Sequence, residues 1–266
     1  MNAFSQSLKR LGNLGRVFAI TQGRSVGINL AAAAAVLLVA YIIAVFSGGP
    51  TGTFTFHEVF FPIFFLVAGF IATSNAFAPM HKADRSYAYL SLPASHLEKT
   101  IEKLLLSTVV YIILALVSYF AFSGIALGLS ELIAGRSFPL FNPFAGWVWE
   151  MVRFYVILHS IFLFGAAYFR NKYFIKTLLG AAAVFLIVGA VASGATWIFF
   201  GDIFQALRTG TLDAFQSVTV GQAEKLQRII MIVRDVAEVL FYWIMAPFFW
   251  VMTWLRVREA EVSDAV

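Results

Sequence analysis

Four charged or titratable side chains stand in stretches that are otherwise apolar enough to cross a bilayer: Glu150, Arg153 and His159 in one, Glu238 in another. An ionisable group at membrane depth is costly, so each is a candidate for a polar contact between helices, for the lining of a transport cavity, or for acid and base chemistry within the membrane. Glu150 and Arg153 are three residues apart, hence neighbours on one helical face, and this spacing predicts an ion pair near the outer end of its span. Glu238 also falls near the outer end of its span. His159 lies deeper, where a lone histidine more often bonds to a neighbouring helix than acts in catalysis.

Other chemistries are excluded by residue type. No Gly-Lys pair occurs, so the chain lacks the backbone cradle and lysine of a P-loop and is not expected to hydrolyse ATP by itself. With no cysteine, there are no disulfides, thiolate metal sites or cysteine nucleophiles. His57, His81, His96 and His159 are scattered, without HExxH or paired-carboxylate spacing, so no metal site is expected. No directly bound cofactor is expected either.

The elements that must position these residues follow from composition. The 266 residues are 61% hydrophobic, 17% aromatic and 12% charged, far beyond the roughly 45 to 50% apolar content of a soluble domain. The net charge of +5 is dispersed among long uncharged runs and makes no nucleic-acid footprint. A spanning helix needs about 20 mostly apolar residues, and six stretches qualify: about 26–46, 59–80, 104–130, 147–169, 177–201 and 236–255. The expected fold is an all-α integral membrane protein with six transmembrane helices in a domain over 25–257. Pro62 is placed in the first turn of the second span, where proline is tolerated.

Basic residues set the orientation. With the N terminus inside, the cytoplasmic segments hold Lys9, Arg10, Arg16, Arg24, Lys82, Arg85, Lys99, Lys103, Arg170, Lys172, Lys176, Arg256 and Arg258, thirteen in all. The outside holds five, Arg136, Arg208, Lys225, Arg228 and Arg234, and Arg153 lies within a span. Both termini are therefore predicted to be cytoplasmic, with a tail at 258–266. The first apolar run is too long for the core of a cleaved signal peptide and is read as a retained span.

Outside the spans, Phe4, Leu8, Leu11, Leu14 and Phe18 recur at helical spacing among basic residues, which predicts an interfacial amphipathic helix within 1–24, weakened by Gly12 and Gly15. In the external loop 202–235, Leu226, Ile229, Ile230 and Val233 share one face of a second amphipathic helix, read as dipping into the outer leaflet or packing on span ends. The cytoplasmic loop 79–103 carries Ser95 and Glu98 in S-x-x-E spacing, a capping box that starts a helix ahead of the third span. Upstream of it, Tyr87, Tyr89, Leu90 and Leu92 form a run too short to cross a bilayer and too apolar to idle in water. They would dock on another protein or rest on the headgroups as an interfacial belt.

The layout, together with the stretch SYAYLSLPASHLEKTIEKLL, resembles the permease subunits of bacterial ATP-binding-cassette exporters. The resemblance rests on Leu92, Pro93, Ala94, Ser95, Glu98 and Lys99 before the third span, under a tenth of the chain. It implies that the segment around Asp84, Arg85, Tyr87, Tyr89, Leu90 and Leu92 is a coupling helix seated in a cleft of a separate P-loop ATPase. Lys172 and Tyr173, in Arg170 to Lys176, would make a second, smaller contact. It further implies a second permease chain, two ATPase subunits that bind ATP and Mg, a membrane-lipid environment and residence in a bacterial inner membrane. The Glu150 and Arg153 pair has no counterpart in this resemblance. An intramembrane enzyme using Glu150, His159 or Glu238, and a membrane assembly protein that transports nothing, are the alternatives.

Overall fold

The computed structural model describes residues 3–47, 56–81, 94–135, 137–209 and 220–263, and all regular structure among them is helical. In chain order the helices are α1 (Ala3–Phe46), α2 (Phe56–Ser74), the short α3 (Ala78–His81), α4 (His96–Leu105), α5 (Tyr111–Ala134), α6 (Gly146–Tyr168), α7 (Tyr173–Thr209), α8 (Val220–Val239) and α9 (Met245–Ser263). A π-helical turn, Leu106–Val110, joins α4 to α5, and a second, Leu240–Ile244, joins α8 to α9. Five helical stretches are long and apolar enough to cross a membrane: 56–81, 96–134, 146–168, 173–194 and 231–260. The segment expected as the first span contributes a shorter apolar stretch, Ala31–Phe46.

Helix α6 is the centre of the bundle, with α2, α7 and α9 packed around it. Its buried residues Val148, Val152, Tyr155, His159, Phe162 and Ala166 recur every three or four positions and so form one stripe. Across from it, α2 buries the four-residue row Phe61, Phe65, Gly69 and Thr73. Lipid tails are as apolar as these side chains, so close packing and interhelical hydrogen bonds hold the helices together. Glycine permits the closest approaches. A Cβ at Gly165 would collide with Thr177 of α7, and one at Gly69 would collide with the rings of Tyr155 and Tyr111.

Several boundaries differ from those read in the sequence. The backbone runs helically from Ala3 to Phe46, so residues 3–24 of the expected interfacial segment are continuous with the first apolar stretch. Helix α2 begins at Phe56, which puts Pro62 in its second turn. The helix then breaks at Asn75 to Phe77, where the Asn75 side-chain amide donates to the Ile71 carbonyl at 2.8 Å, and resumes as α3 with Pro79 in its first turn. The expected external loop 202–235 is helical over 202–209 and 220–235, and its amphipathic stretch lies in α8, continuous with α9.

At the first π turn the Ser107 hydroxyl donates to the Lys103 carbonyl at 2.6 Å, a bond that Thr73, Thr177 and Thr253 also make within regular α-helix, so it does not by itself widen the turn. At the second, Pro247 has no N–H for the Trp243 carbonyl and its ring crowds that carbonyl, which a wider turn relieves.

Candidate functional site

Both π turns face α6, and each sets a polar group there. At the first, His159 Nε2 lies 2.7 Å from Ser107 Oγ, and the Tyr155 hydroxyl donates to the Ser107 carbonyl at 2.7 Å. Tyr155 also lies 3.3 Å from Thr73 Oγ1, which donates to the Gly69 carbonyl at 2.7 Å. The Tyr111 hydroxyl donates to the Phe65 carbonyl at 2.6 Å. These bonds clip α2, the π turn, α5 and α6 together. His159 is 0% exposed and its Nδ1 has no hydrogen-bond partner. Because the Lys103 carbonyl can only accept, the Ser107 proton goes to it, and His159 Nε2–H then donates to Ser107 Oγ. The ring is therefore held as the Nε2–H tautomer with a bare Nδ1.

At the second π turn, Glu150 and Arg153 form no ion pair. The Arg153 guanidinium instead lies over the Tyr242 ring, 4.4 Å from its centroid. Glu150, Arg153 and Glu238 are all exposed on the bundle surface. An exposed carboxylate and guanidinium on one helix gain little from pairing, whereas the aromatic face offered by the next element fixes the cation across two helices. The four sequence candidates therefore do not converge: His159 is in the core, and Glu150, Arg153 and Glu238 lie on one flank.

The end of the bundle where α3 and α4 lie is built around charge. Ser95 caps α4, its Oγ accepting from Glu98 N–H at 3.2 Å while Glu98 Oε2 accepts from Ser95 N–H at 2.9 Å. Glu98, Lys99 and Glu102 are buried, Lys99 to 1% exposure, where α4 packs on α1 and α9. Lys103 pairs with Glu102 at 3.1 Å, and Arg256 of α9 pairs with Glu259 at 2.9 Å. Asp84, Arg85, Tyr87, Tyr89, Leu90 and Leu92 lie outside the described residues. Tyr173 stacks on His81, with centroids 5.5 Å apart, and His81 Nε2 donates to the Ala166 carbonyl at 2.9 Å. Lys172, beside it, turns the chain between α6 and α7 with a left-handed φ of 49°.

No protein-family model, curated protein or solved structure matches this chain significantly. The site rests on its own geometry.

At the opposite end, the segment 137–145 folds back over α1, α2 and α5. The Tyr41 hydroxyl accepts from Phe138 N–H at 3.0 Å, and His57 bridges Tyr119 at 3.2 Å and the Pro139 carbonyl at 2.8 Å. Phe56, Phe61, Phe122 and Phe141 pack around this knot. The partners of His57 and His159 could not be read from spacing, because each lies on another element, far away in sequence. One pattern was available: Tyr155 and His159 are four apart, as are Gly69 and Thr73, so polar groups share a face with small residues on both helices. A second pattern is present in the sequence and does no such work. Gly23-Arg24-Ser25-Val26-Gly27 matches G-x-S-x-G, but it sits within the continuous helix α1 and not at the strand-to-helix turn a nucleophile elbow requires. Among the described residues no cluster of metal-ligating side chains occurs.

Proposed function

We propose that this chain is the membrane-embedded permease subunit of an ATP-binding-cassette transporter, an exporter, with six spans and both termini in the cytoplasm of a bacterial cell. One observation carries the reading. At one end of the bundle Tyr173, in the second segment expected to touch an ATPase, stacks on His81, three residues before the first expected docking segment begins at Asp84. From that end, α4, the π turn and α5 run as one helical stretch over 96–134. A push on the loop before Ser95 is therefore delivered into a long, capped lever whose base is held by α1 and α9. Hydrolysis of ATP, with its Mg, belongs to the separate subunit.

The test is to purify the complex with Tyr87→Asp, Leu90→Asp or both substitutions in the loop. Tyr87 and Leu90 share a face if that segment is helical, and an aspartate forced into a partner's cleft must be desolvated at a cost of a few kcal/mol. The variants should insert into the membrane at wild-type levels yet lose the co-purifying ATPase and its substrate-stimulated hydrolysis. Full retention of both by the double variant makes the loop an interfacial belt and removes the permease assignment.

A second reading, an intramembrane hydrolase, is favoured by the 2.7 Å approach of Ser107 Oγ to His159 Nε2. It requires His159 to take the Ser107 proton, which the Lys103 carbonyl at 2.6 Å holds instead.

A further inference from the structure

Between α6 and α9 the second π turn opens a groove of about 310 Å³ on the flank of the bundle. Its walls are Val156 and Ile157 on one side and Trp243, Ala246 and Pro247 on the other, with Trp250 at its far end. Arg153 and Tyr242 are its only charged or hydroxyl-bearing lining residues. The volume is at the small end of ligand pockets, ~300 to 1,000 Å³, and suits one extended apolar chain rather than a whole amphiphile.

The charges around this groove have an order. Arg153 is seven residues into α6, about 10 Å along the axis from the helix start. Its guanidinium carbon lies over the Tyr242 ring, 4.4 Å from the centroid, and no carboxylate among the described residues pairs with it. One turn closer to the helix start is the exposed carboxylate of Glu150, and one turn before Tyr242 is that of Glu238. Arg234 and Asp235, the next charges along α8, neutralise each other at 2.9 Å. From the depth of the bundle toward its end, the order is apolar groove, guanidinium, then two carboxylates.

We propose that this flank binds a zwitterionic glycerophospholipid of the ethanolamine type. One acyl chain fills the groove, the phosphate diester sits on Arg153, and the terminal ammonium reaches Glu150 and Glu238. A phospholipid carries these groups in the same order, and about 4.5 Å of helix rise from Arg153 to Glu150 matches the scale of the two-carbon spacer between phosphate and nitrogen. A guanidinium recognises a phosphate bidentately. A lipid with net negative charge would meet the same arginine but face two uncompensated carboxylates. The site also accounts for Glu150 and Glu238, two exposed carboxylates with no hydrogen-bond or ion-pair partner among the described residues.

The experiment reconstitutes the full chain in an equimolar mixture of phosphatidylethanolamine and phosphatidylglycerol. The lipids retained after detergent exchange are then counted by native mass spectrometry. The wild type should retain the ethanolamine lipid over the glycerol lipid by roughly fivefold, the scale of an exposed charge pair. Glu150→Gln with Glu238→Gln should abolish or invert that preference. Arg153→Gln, and Ala246→Trp, which fills the groove, should lose both lipids. The two exposed Glu→Gln changes leave the packing untouched, so an unaltered thermal midpoint for that variant separates lipid loss from misfolding. Equal retention of the two lipids by the wild type, or a preference that persists in the Glu→Gln variant, overturns the proposal.

Discussion

His159 illustrates what a single buried polar residue does when no water reaches it. Its Nε2 is satisfied by Ser107 and its Nδ1 by nothing, so the Ser107 hydroxyl is the one group that offsets the desolvation of the ring. Ser107→Ala should therefore lower stability by about 0.5 to 2 kcal/mol, the range for interhelical hydrogen bonds in membranes and for a stranded buried group. Replacing both residues, Ser107→Ala with His159→Leu, should recover part of the loss, because the polar ring is then gone as well. Thermal unfolding in a mild detergent reads both changes. A serine-directed fluorophosphonate should fail to label Ser107 in the wild type. Labelling abolished by His159→Ala would instead establish the hydrolase reading.

At the scale of elements, α4 shows how a short helix is made dependable. Its ten residues lead through the π turn into α5, and they carry four charged or polar residues, Glu98 to Thr100 and Glu102, into a buried interface. The reciprocal bonds of Ser95 and Glu98 satisfy two otherwise orphaned N–H groups at its start. Ser95→Ala should cost about 1 kcal/mol. Hydrogen exchange should speed up at the amides of residues 96–99 while the centre of α6 stays protected. Uniform protection across α4 in the variant would mean that packing on α1 and α9, and not the cap, starts the helix. The same box was legible in the sequence because capping is a local matter of four residues. The π turns were not: the i to i−4 bond of Ser107 occurs in regular α-helix as well, at Thr73 and Thr177, so no local residue type marks the first of them.

For the whole molecule, the bilayer is the solvent, and α7 makes this visible. Leu178, Leu179, Val184, Leu186 and Val191 are exposed along a helix that touches the bundle mainly near its first turns, an arrangement water would not tolerate. Orientation can be measured directly because the chain has no native cysteine. Single substitutions Ser5→Cys, Ser86→Cys, Lys172→Cys and Ser263→Cys should be shielded from an impermeant thiol reagent in intact cells. Gly52→Cys, Ser137→Cys and Thr211→Cys should react. Reaction at Ser86→Cys together with shielding at Ser137→Cys would invert the topology.

The sequence by itself determined the class of the protein and the approximate position of its apolar stretches, because transfer into hydrocarbon is summed residue by residue along the chain. It also determined the cap of α4. Only the tertiary structure decided the partners. Glu150 and Arg153 satisfy the spacing for an ion pair, yet Arg153 turns to Tyr242, some ninety residues away in sequence, because a ring from another helix fixes the cation where an exposed carboxylate would not. Tyr173 meeting His81, and His57 meeting Pro139, are of the same kind. Periodicity states which side of a helix turns inward; which helix it meets there depends on how all the interior faces are filled at once, and that information is spread over the whole chain.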